Sequence, residues 1–197
     1  MPKHKSKARQ FNEDIEYFLS LEKAVLLDIE PHLIEEEDGA IMHVCGDCDC
    51  FSDIFVHHGR IQRTCRPNER IHTFAGNGGA LILAPHSPLV SRGSTIQEDL
   101  FRQTKQAMDW KKIKKIIVAA HYPCGMAKAC HLSPEQIILL LFQAKRAMKD
   151  RLAEFEPKVS AYFHIDYGLN FKAFKKKKRV LSFYASREGW EKHLGIA

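Results

Sequence analysis

A chain of 197 residues that is 45% hydrophobic can bury one substantial core but not two full domains with separate machinery, so a single domain spanning 1–197 is expected. The formal charge of +6 owes much to Lys3, Lys5, Lys7 and Arg9 and to the basic run at 175–179; such runs read as solvated ends or hairpin tips, and nucleic acid is not an expected partner. No apolar stretch is long enough to span a membrane, and the basic first residues lack the apolar core of a secretory signal, so the expected location is cytoplasmic.

From 11 to about 29, Phe11, Ile15, Phe18, Leu21, Val25, Leu26 and Ile29 recur at helical spacing and predict an amphipathic helix within an N-terminal helical arm, 1–32. Glu13, Asp14 and Glu16 then fall in its first turns, where the macrodipole favours negative charge. A break ending at Gly39 precedes a short buried strand at 40–44. A second strand is predicted at 71–75, and Gly76-Asn77-Gly78-Gly79 must turn sharply after it, because glycine admits positive φ. The N–H groups of that turn could face an anion, but the lysine and hydroxyl residue of a phosphate loop are missing and no nucleotide is expected.

A helix at 97–110 leads into the apolar run 116–120, the pattern of a parallel crossover. Ser133-Pro134-Glu135-Gln136 reads as a capping box with proline at the first helical position, opening a helix to about 155, ahead of Pro157. Two late strands are predicted at 159–165 and 180–185. This order defines an α/β fold with three layers, a mainly parallel central sheet flanked by helices.

Chemistry concentrates after two of the strands. Cys45-Gly46-Asp47-Cys48-Asp49-Cys50 follows the first, and His121-Tyr122-Pro123-Cys124-Gly125 follows the run at 116–120. Neighbouring strand ends in an open α/β sheet converge on one crevice, and thiolates with an imidazole are the donors that tetrahedral Zn²⁺ takes. Cys45-x-x-Cys48 with His121-x-x-Cys124 is equally good spacing for a closed Cys₃His zinc. Without an export signal the six cysteines do not read as a disulfide framework; Cys50, Cys65 and Cys130 read as reduced core residues, and His57, His58, His86, His131 and His164 have no paired spacing.

These residues resemble the β-class carbonic anhydrases, whose signature is Cys-x-Asp-x-Arg at one strand end, His-x-x-Cys-Gly at another, and an Ala-Gly-Asn turn between. Cys45, Asp47, Ala75-Gly76-Asn77, His121, Cys124 and Gly125 match in order, over roughly 41–129. The resemblance implies that family's fold, Zn²⁺ held by Cys45, His121 and Cys124, and Asp47 as the catalytic aspartate. Asp47 would accept a hydrogen bond from zinc-bound water or take the fourth ligand position itself. The implied activity is a lyase's reversible hydration of carbon dioxide to bicarbonate by zinc-bound hydroxide. The implied assembly is a homodimer or higher homo-oligomer, with the N-terminal helix a candidate for crossing onto the partner.

The chain departs from the pattern in three places. Asp49 stands where the family has the arginine that holds the aspartate off the metal, Thr73 and Phe74 replace arginine and asparagine, and Cys48 replaces a small hydroxyl residue. Among Arg60, Arg63, Arg66 and Arg70, one could substitute for the missing partner. Two alternatives therefore stay open: a catalytically inactive, zinc-stabilised binding or regulatory protein, in which Cys48 could close the site, and a hydrolase of a related small molecule such as carbonyl sulfide or carbon disulfide.

Overall fold

The computed structural model describes residues 7–23, 27–28, 39–47, 51, 54–55, 70–166 and 180–185. Cys48, Asp49, Cys50, Cys65, Arg60, Arg63, Arg66, His57 and His58 lie outside these residues. In chain order the elements are α1 (Lys7–Lys23), β1 (Leu27–Asp28), β2 (Ala40–Cys45), β3 (Ile71–Gly76), a 3₁₀ turn (Gly79–Leu83), α2 (Ile96–Lys111), β4 (Lys115–Tyr122), α3 (Gly125–Ala129), α4 (Pro134–Arg151), a second 3₁₀ turn (Ala153–Phe155), β5 (Lys158–Asp166) and β6 (Val180–Ala185).

The strands form one sheet in the order β1-β6-β5-β4-β2-β3. The pairs β2/β3, β2/β4 and β4/β5 are parallel, while β6 joins β5 and β1 antiparallel. The α/β, mainly parallel architecture expected from the element order is the one that forms. Because crossovers place helices over the sheet, β2 and β4 are buried along their whole length. One face carries Ile41, Ile116, Val118 and Phe163 under Ile15 and Phe18 of α1 and Ile138, Leu141 and Met148 of α4. The other carries Met42, Val44, Ile117, Ala119 and Tyr162 under Ile54, with Phe51 and Phe55 packed alongside.

The predicted cap of α4 is present in full: Gln136 N–H donates to Ser133 Oγ at 3.2 Å and Ser133 N–H donates to Gln136 Oε1 at 2.8 Å. That helix stops at Arg151 rather than near 155; Leu152 caps it and the last turn tightens to 3₁₀.

The N-terminal reading needs two corrections. The helix begins at Lys7 and ends at Lys23, and Leu27–Asp28 pair with Ala185 and Tyr184, so the segment at 27–28 is strand rather than helix. Glu13, Asp14 and Glu16 consequently lie beyond the first turn, which holds no acidic residue, and do not serve the macrodipole there. The face of α1 carrying Ile15, Phe18 and Leu21 is buried against the chain's own core, where the Phe18 ring lies 4.9 Å from Tyr122 and 5.4 Å from Phe163. That face is therefore covered by the chain's own core.

Candidate metal centre

Strand pairing creates the opening. β2 and β4 are hydrogen-bonded neighbours from Ala40↔Lys115 to His43↔Val118 and no further. Beyond that point β2 stays with β3 to Cys45↔Gly76, while β4 stays with β5 to Tyr122↔Ile165. The chain winds outward on one side through β2 and β3 and on the other through β4 and β5, so the two inner strands part at their carboxyl ends. This is the topological switch point at which open α/β sheets hold ligands.

Three donors meet there. Sγ of Cys45, a ring nitrogen of His121 and Sγ of Cys124 all lie within 4.8 Å of one another. The residues are 4%, 1% and 4% exposed. Tetrahedral zinc with Zn–S near 2.3 Å sets its sulfur ligands about 3.8 Å apart, so shifts of at most about an ångström would seat the ion. The donor chemistry fits Zn²⁺: two thiols and one imidazole, shielded from bulk water. His121 belongs to β4 itself, which continues two residues past the predicted end at Ala120.

Local backbone dipoles prepare the sulfurs. Gly78 N–H donates to Cys45 Sγ at 3.3 Å, delivered by a turn in which Gly78 and Gly79 take φ of +87° and +53°. The Gly78 N–H thus serves a sulfur of the chain itself rather than an outside anion. Cys124 is the N-cap of α3; its side chain makes no capping hydrogen bond, and the nearby Ala127 and Met126 N–H groups favour its thiolate. A hydrogen bond from the Cys124 thiol, the largest cause, holds Cys45 well below the usual thiol range; His121 and Gly78 add to the effect and burial opposes it. The same bond and burial push Cys124 up.

Asp47 lies two residues beyond Cys45 and is half-buried, and its carboxylate is not among the three mutually close donors. Its backbone carbonyl accepts from Phe51 N–H at 2.9 Å. Arg70 cannot stand in for the missing arginine. It precedes β3, at the amino end of the sheet, and its guanidinium donates to the Lys111 carbonyl at 3.1 Å. Cys130, read as a core residue, is half-exposed, with Sγ 3.5 Å from the Pro88 carbonyl oxygen.

Three residues around the centre escaped the sequence reading. His43, on β2, is buried with its ring 4.8 Å from Phe74 on the paired strand, which gives the departure at position 74 a packing role. Thr104 Oγ1 donates to the Leu100 carbonyl at 2.6 Å, so at 2.9 Å from His43 Nε2 it must accept, and His43 is the neutral Nε2–H tautomer. Burial, then the neighbouring His72, lowers its pKa to about 3. Tyr122 and Asp14 are the other two: the phenol donates to Asp14 Oδ2 at 2.5 Å. Burial first, then that carboxylate, raises the Tyr122 pKa well above the usual tyrosine range. An aromatic between two candidate ligands was the available signal for Tyr122, but its acceptor is more than a hundred residues away in sequence.

Fold and site together define an α/β protein with a buried Cys₂His donor set at the switch point of its sheet. No family model and no curated protein sequence matches the chain. Among solved structures it is similar to a mutant of the β-carbonic anhydrase CafD of the filamentous fungus Aspergillus fumigatus, at 12% identity over 78% of this chain and 91% of that one, with a TM-score of 0.45. It is also similar to the β-carbonic anhydrase CafA of Aspergillus fumigatus, at 12% identity over 96% of this chain and 97% of that one, with a TM-score of 0.35. Among the described residues, no helix is long and apolar enough to cross a membrane.

Proposed function

We propose that this chain is a zinc-dependent enzyme of the β-carbonic anhydrase type, hydrating carbon dioxide reversibly to bicarbonate. One observation carries the proposal: Cys45, His121 and Cys124, the residues of the two matched motifs, converge within 4.8 Å at parted strand ends. Zn²⁺ bound there would supply a Lewis acid able to make water nucleophilic near neutral pH.

The chain's own groups have separable roles. Cys45 and Cys124 provide charge neutralisation for a divalent cation, and the Gly78 N–H donates to the Cys45 sulfur. His121 provides the third donor from a strand locked to β5 in register. Asp47 is the carboxylate assigned to the fourth position, as acceptor or as ligand. Thiol protons must leave on metal uptake, so affinity should rise with pH. Assembly as a homodimer belongs to this proposal; sedimentation of the purified chain tests it.

A closed Cys₃His site in an inactive regulatory protein is the competing reading, favoured by Cys48 and by the reversed charge at Asp49. Zinc content and stopped-flow hydration of carbon dioxide across pH separate the two. One zinc per chain with acceleration abolished in Cys124→Ser supports the enzyme. Bound zinc without acceleration at any pH, lost in Cys48→Ser, supports the closed site. Carbonyl sulfide turnover in place of hydration would move the substrate within the same chemistry. Reduced protein that takes up no zinc ends both readings.

A further inference from the structure

We infer that Asp14 and Tyr122 form a positioning pair, through which helix α1 sets the placement of the metal-binding segment from His121 to Cys124. The inference rests on the proposed ligand role of those two residues. Past Val118, β4 has lost β2 as a hydrogen-bonded neighbour and keeps only β5 at its side, through His121↔His164 and Tyr122↔Ile165. Beyond the packing of β4 against α4 and the first 3₁₀ turn, α1 holds the end of the segment through the Tyr122 ring and hydroxyl. Tyr122 is 9% exposed, its ring stacked 6.1 Å from Phe11 and tilted 4.9 Å from Phe18, and its phenol donates to Asp14.

Side chains alternate along a strand, so Tyr122 projects opposite to His121 and acts as a handle on the far face of the same short stretch. Cys124 follows two residues later. A cleft of about 490 Å³ opens beside this stretch, bordered by Phe11, Asp14, Tyr122, Pro123 and Cys124. The Asp14–Tyr122 bond adds a directional restraint to the ring packing where the segment borders this cleft. Groups behind metal ligands typically govern affinity tenfold to a hundredfold by fixing ligand orientation.

The test uses the full chain and two probes, Zn²⁺ affinity by competition with a chromophoric chelator and the absorption bands of the Co²⁺-loaded protein. Tyr122→Phe keeps the ring and removes the hydrogen bond; Asp14→Ala removes the acceptor. Each is expected to weaken Zn²⁺ binding about tenfold and to shift the Co²⁺ ligand-field bands, and the double variant should be no weaker than either single one. Asp14→Asn, which retains an acceptor oxygen, should restore affinity and spectrum, an outcome that general loss of stability would not produce. Wild-type uptake with unaltered affinity and spectra in Tyr122→Phe and Asp14→Ala overturns the pairing alone. Wild-type protein that takes up neither ion overturns the ligand assignment and this inference with it.

Discussion

Placing a methyl group on Gly79 is the sharpest perturbation of the proposed centre that leaves every donor atom in place. Gly79 has φ of +53°, and a Cβ built there would sit 2.4 Å from Cys45 N, 2.7 Å from the Val44 carbonyl carbon and 2.9 Å from Cys45 Cα. All three are backbone atoms of the strand end that presents Cys45, and ordinary contact lies near 3.4 Å, so β2 and the turn must separate by about an ångström. The left-handed backbone costs alanine roughly 1–2 kcal/mol, and the overlap adds a further 1–3 kcal/mol of overpacking. Gly79→Ala should therefore lose about 3 kcal/mol in urea unfolding of the zinc-free protein. A metal–sulfur bond tolerates only about 0.2 Å, so zinc affinity should fall about a hundredfold. Gly125→Ala is the matched control: it lies beside Cys124, yet its Cβ would meet nothing within 4 Å. It should unfold like the parent, although Gly125 belongs to the family motif and Gly79 does not. Equal unfolding midpoints and zinc affinities for Gly79→Ala and the parent would refute this reasoning.

Acid should weaken the fold through His43. Its folded pKa of about 3 lies below the ordinary 6.5, so the unfolded chain binds more protons between those values. The stability it contributes is complete above pH 6.5 and is lost as pH falls toward 3, at about 1.4 kcal/mol per pH unit. Urea titrations of metal-free parent and His43→Gln should differ by that slope between pH 6 and 4; parallel lines would assign the acid sensitivity elsewhere. Ser133→Ala removes one half of the capping box and should cost about 1 kcal/mol, with zinc content unchanged; a neutral effect on the unfolding midpoint would deny the cap an energetic role.

Local chemistry made much of this protein legible. The cap at Ser133, the buried runs of β2 and β4, and the sharp turn at Gly78-Gly79 are written in spacings shorter than one element, and they formed where the residues placed them. The three donors were also readable, because a motif of two strand ends carries its own order along the chain. Asp14 was misassigned for a physical reason: the helix begins four residues before the first apolar position, so a carboxylate counted into the first turn lies farther along, facing Tyr122. His43 looked like one more residue of an apolar strand, and only Thr104 and Phe74, from a distant helix and a neighbouring strand, reveal how its polarity is satisfied.

The sequence by itself determined which residues are chemically equipped to hold a metal and where most of the helices and strands lie, since donor identity and periodicity belong to single residues and their near neighbours. Only the tertiary structure decided that β2 and β4 part after His43 and Val118, that Gly79 must lack a side chain against Cys45, and that α1 reaches Tyr122. Those outcomes depend on register between strands and on packing across the sheet, which are settled by contacts among residues far apart in the chain rather than by any one segment's own preference.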